Sequence, residues 1–134
     1  MAYQKPSRAL GQLVCRSVRG VDGEALKSAV RALDSAADER ARAQGVEPGD
    51  LYRWGGALST LTDRLDAVSA MVAAEVGRLQ GEAALRDDTG GDPWQRLRDA
   101  RGQLEELRAA LTAANGAARR FHSSVGHVGR ALAG

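Results

Sequence analysis

His122 and His127 are the chain's two imidazoles. On a helix, a five-residue separation turns them roughly 140° apart, so one face cannot present both to a single metal ion. No His-Glu-x-x-His pattern accompanies them, nor a Glu-x-x-His of the kind that builds a di-iron bundle site. Asp87-Asp88 and Glu105-Glu106 read as a loop and a solvated helix face rather than an acid/base pair. Gly90-Gly91 lacks the preceding strand and further glycine spacing of a dinucleotide loop, and no Walker-type Gly-Lys-Ser/Thr is present. The lone Cys15 excludes an intramolecular disulfide, suits a reducing cytoplasm and reads as a small buried hydrophobe. The expectation is a protein that is not an enzyme, with no catalytic residue, metal, cofactor or small-molecule substrate.

Arginine is the remaining chemistry. Seventeen of the 19 basic residues are Arg and isoleucine is absent, a usage resembling high-GC bacterial genomes. Residues 1–23 carry +3, 24–44 balance, 45–92 carry −5 and 93–134 carry +4, giving the net +2. The simplest reading is an acidic middle helix lying against a basic last helix. A second reading uses Lys5, Arg8, Arg16 and Arg19, with Arg96, Arg98, Arg101, Arg119, Arg120 and Arg130, as contacts to nucleic-acid phosphates, to which planar guanidinium forks are suited. No helix-turn-helix pattern, zinc spacing or interleaved aromatic residue supports base readout.

The elements that carry these residues follow from apolar spacing. Leu97, Ala100, Leu104, Leu107, Leu111, Ala114, Ala118, Phe121, Val125, Val128 and Leu132 repeat at alternating three and four residues, a heptad seam. Asp92-Pro93 marks its start, because Asp accepts from free amides and Pro needs no donor at the first helical position. A second stripe runs Leu51, Trp54, Leu58, Leu61, Leu65, Val68, Val72, Val76, Leu79 and Ala83, with Asp50 expected as its N-cap. The polar, glycine-rich stretch from Arg86 to Asp92 reads as a short reversal, so the two helices should form a long antiparallel hairpin. Upstream, Leu10, Leu13, Val14 and Val18 form one helical piece and Leu26, Val30, Leu33, Ala37 and Ala41 another, interrupted at Gly20 to Gly23.

The expected fold is therefore all-α: a single domain over residues 1–134, an antiparallel three-helix bundle built on the hairpin, its first helix kinked or broken. A four-helix bundle is the alternative. Helices are expected over roughly 7–19, 23–44, 50–86 and 93–133. With aromatic residues at 4%, the core must be built from Leu, Val and Ala. No stretch reaches the length of an uncharged membrane span, and Arg8 and Arg16 interrupt the N-terminal apolar stretch where a signal peptide would need continuity. A cytoplasmic protein is expected.

Trp54-Gly55-Gly56 resembles the Trp-x-Gly turn of the WXG100 family, small helical-hairpin proteins exported by type VII secretion. The resemblance implies a secreted helical-hairpin protein. Read on the residues alone, Trp54 caps one end of the bundle and the glycines permit a tight entry or a local break.

The leading functional expectation is a helical scaffold, adaptor or accessory subunit acting through protein–protein contacts, by self-association or by docking onto another helical protein. Its seam is Leu104, Leu107, Leu111, Ala114, Ala118, Phe121 and Val125, with an alanine-rich middle around Ala110 to Ala118. The alternatives are an accessory nucleic-acid-associated protein, for example of a bacterial mobile element, and the secreted WXG100-like protein.

Overall fold

A computed structural model describes residues 23–82 and 84–131. These are helices and connecting segments with no strand: α1 (Gly23–Arg42), α2 (Pro48–Leu79) and α3 (Pro93–Val125). The all-α class is as expected, and three helices with two packed against each other are consistent with a three-helix bundle. The expected helix 7–19, Cys15 and the four N-terminal basic residues lie outside the described residues.

The chain divides into two units at Gly45, whose φ of 75° lies in the left-handed region that glycine tolerates. In the first unit, α1 is amphipathic, and its apolar row of Leu26, Val30 and Leu33 is exposed. Arg40 donates to the Gly45 carbonyl at 2.9 Å and so closes the helix end.

The second unit is the antiparallel hairpin of α2 and α3. Asp50 is not the N-cap of α2. Pro48 takes the first helical position, which moves the cap to Glu47 and leaves Asp50 at the third, where its carboxylate accepts the Glu47 amide at 3.2 Å. The cap of α3 is as expected: Asp92 Oδ1 accepts from the Trp94 amide at 2.9 Å, with Pro93 first in the helix.

Both helices end earlier than expected. α2 stops at Leu79 rather than residue 86, because the Gly81 amide turns back to Arg78 O and the Glu82 amide to Leu79 O, tightening the chain past helical pitch. α3 stops at Val125 rather than residue 133, since Gly126 and Gly129 remove the side chains that would favour continuation. Gly126 also lies beside the Tyr52 ring, where a Cβ would come within 3.2 Å. Val128 is thus outside the seam helix, and Leu132 is outside the described residues.

Trp54-Gly55-Gly56 forms neither a turn nor a break. All three lie inside the continuous helix α2, where Gly55 is buried against α3. The reversal lies between Leu79 and Pro93.

Candidate functional site

The line of contact within the hairpin mixes apolar and polar side chains. Facing α3, the row Leu51, Gly55, Ser59, Thr62, Asp66, Ser69, Ala73 and Val76 is at least half-buried, with Gly55 and Ser69 buried outright. Facing α2 are Leu97, Ala100, Leu104, Arg108, Leu111, Asn115, Ala118, His122 and Val125. Gly55 lets the backbones touch, for a Cβ there would meet His122 Cα at 2.9 Å. The His122 ring then stacks on Tyr52 with centroids 4.1 Å apart. Asn115 Nδ2 donates to the Ser59 carbonyl at 2.8 Å and to Thr62 Oγ1 at 2.9 Å. Arg108 Nε pairs with Asp66 Oδ1 at 2.9 Å, which raises the guanidinium pKa chiefly through that hydrogen bond.

Four residues of the expected seam, Leu104, Leu111, Ala118 and Val125, therefore sit along the contact line, while Leu107, Ala114 and Phe121 lie exposed to one side. Arg108, Asn115 and His122, each one position further along, take the inward places. The α2 stripe divides similarly. Leu51 and Val76 face inward, and Trp54, Leu58, Leu61, Leu65 and Val72 are exposed.

These displaced side chains share one face. At 100° per residue, the large apolar row of α2 is turned roughly 90° from its contact line, and the row Leu107, Ala110, Ala114, Ala117 and Phe121 of α3 is turned by about the same angle. Because the helices are antiparallel, the two rotations carry both rows to the same side of the hairpin. Leu58, Leu65, Leu107 and Phe121 retain 49, 46, 45 and 40% of their accessible surface, and no hydrophobic residue is buried among the described residues. The opposite side is polar, with Arg119 paired to Asp63 at 3.7 Å.

The arginines do not gather into one field. Arg96 pairs with Asp87 at 2.7 Å, Arg98 with Asp92 at 3.7 Å, Arg119 with Asp63, and Arg130 with Glu47 at 2.7 Å. Arg101 lies on the polar side, and Arg120 is turned roughly 170° from the contact line of α3. Pairing of acidic α2 with basic α3 is present in Asp63–Arg119 and Asp66–Arg108.

An open depression of about 310 Å³ lies beside the reversal, lined by Leu85, Asp87, Pro93, Arg96 and Leu97 among others. Its covered carboxylate is committed internally: Asp87 accepts from the Thr89 hydroxyl and amide and from Arg96. Although Asp87 is only 4% exposed, it is covered by its own donors, so hydrogen bonding outweighs desolvation and holds its pKa well below the usual carboxylate range. His122 and His127 join no group of three metal-ligating side chains among the described residues.

Sequence reasoning missed the inward places of Asn115 and His122, since polar residues carry no burial signal. The contiguity of Gly55 with residues that stack and hydrogen-bond was equally silent. No described helix is long and apolar enough to cross a membrane. No protein-family model matches the chain, and neither the curated proteins nor the solved structures provide a match.

Proposed function

We propose that the chain is a non-enzymatic helical interaction module whose working surface is the apolar side of the α2–α3 hairpin. The observation that carries this reading is the face formed by Leu58, Leu65, Leu107 and Phe121, all exposed and all on one side. Apolar surface of this extent costs free energy in water and marks a contact site on a folded protein. The contact line leaves this face free for such a role, because the cross-helix contacts are made by other residues, among them Leu104, Leu111, Asn115 and the Asp66–Arg108 pair.

Site-specific photo-crosslinking in the native cell tests the reading. A photo-activatable residue in place of Leu65 or Leu107 should give a discrete protein adduct, and one in place of Arg101 on the polar side should not. Absence of any protein adduct from the apolar side would overturn the proposal. So would a salt-dependent DNA shift that is abolished by Arg119→Ala with Arg120→Ala, the result expected of a phosphate-binding protein.

A further inference from the structure

We infer that the apolar side of the hairpin is covered by a second copy of the same chain, giving an antiparallel four-helix bundle in which α2 of each copy lies over α3 of the other. The inference rests on the proposed docking role of this face and names its occupant.

A lone helix laid into the groove of a hairpin makes a triangle, in which each helix turns roughly 60° from one neighbour to the next; a hairpin laid on a hairpin makes a square and requires roughly 90°. The apolar rows of α2 and α3 each stand roughly 90° from the contact line. They present a two-helix-wide platform that another hairpin matches.

The platform is also self-complementary in shape. The cross-hairpin contacts Gly55 to His122, Ser59 to Asn115 and Asp66 to Arg108 fix the register. In this register Leu58, Leu61 and Leu65 of α2 stand level with Ala117, Ala114 and Ala110 of α3. A bulky row and a small row therefore run side by side at the same height. A twofold axis parallel to the helices preserves height and exchanges the rows, setting the leucines of each copy into the alanine positions of the other. A twofold axis across the helices would set leucine on leucine and leave alanine facing alanine. The net charges agree with the first arrangement: α2 carries three basic and four acidic residues, α3 six and three.

The large side chains of the platform expose on the order of 500 Å² per hairpin, so a pair would bury about 1,000 Å² before the alanines are counted, the lower bound for a specific interface.

Sedimentation of the full chain should give twice the 14.1 kDa chain mass. Leu65→Glu should weaken the dimer by roughly a hundredfold, with helical circular dichroism retained in concentrated samples. Ala114→Leu distinguishes a fitted interface from general stickiness. It adds apolar surface yet fills the position that receives Leu61, so it should weaken the dimer by roughly tenfold or more, and combining it with Leu61→Ala should restore most of that loss. A monomeric native chain overturns the inference, as does a dimer indifferent to these changes. In the crosslinking experiment, an adduct of the chain with itself from position 65 supports it. An adduct with a different protein overturns self-association and leaves the docking role standing, and no adduct overturns both.

Discussion

A Cβ atom added to Gly55 would lie 2.9 Å from the Cα of His122, so the two helices meet at that point backbone to backbone. Gly55→Ala should force α2 and α3 apart there and destabilise the hairpin by about 1–3 kcal/mol, the range for overpacking. Gly56→Ala is the control. Its Cβ would meet the His122 ring at an ordinary 3.5 Å, and the gain in helix propensity, up to about 1 kcal/mol, should leave stability equal or higher. Urea denaturation of both variants measures the contrast.

Asn115 should set the register of the hairpin. Asn115→Ala leaves the Ser59 carbonyl and Thr62 hydroxyl without their cross-helix donor. A loss of about 1–2 kcal/mol is expected, at about 1 kcal/mol per hydrogen bond. A double-mutant cycle with Thr62→Val should show coupling, because the two side chains share one bond.

The reversal should be acid-resistant. The folded pKa of Asp87 is depressed, first by the Thr89 hydroxyl and then by Arg96. Its contribution is therefore fully present above the unfolded aspartate value of about 3.9 and is lost as the pH falls through the lower folded value. In an NMR titration Asp87 should protonate at lower pH than aspartates without such donors, and the Thr89 amide should follow it. Arg96→Ala should move that midpoint upward. A midpoint in the ordinary aspartate range would show that the hydrogen bonds do not hold in solution.

Arg130 ties the segment after α3 to the start of α2, its Nε and Nη2 meeting Glu47 Oε2 at 2.7 Å and Oε1 at 3.0 Å. Both side chains are well exposed, so the effect should be local. Arg130→Ala should speed amide exchange at residues 127–131 without a measurable change in global unfolding. High salt should do the same to the native chain.

Asp92-Pro93 announced a helix start because cap chemistry is local, and the heptad spacing from Leu97 announced α3 because period is local too. Which residues face the nearest helix is decided elsewhere. Leu107 and Phe121 are the natural choices for a buried row by apolarity, yet Arg108 and His122 occupy it, since the closest approach is governed by Gly55 on the other helix. Hydrophobicity records where the apolar surface lies and not which neighbour it meets, and in this hairpin that surface is turned roughly a quarter-circle from the helix next door. The helix ends were misplaced for a related reason. Val128 continues the spacing but lies past Gly126, where the backbone leaves the helix.

The clasp formed by Asn115, Ser59, Thr62 and the Asp66–Arg108 pair has a bearing on assembly order. Exchange of helices between copies would have to rebuild each of these directional bonds in another molecule, whereas parting the leucines of one copy from the alanines of another would break none of them. In the proposed dimer, a chain clasped in this way would keep its own two helices together on docking and release, so that association could be reversed without scrambling which helix belongs to which molecule.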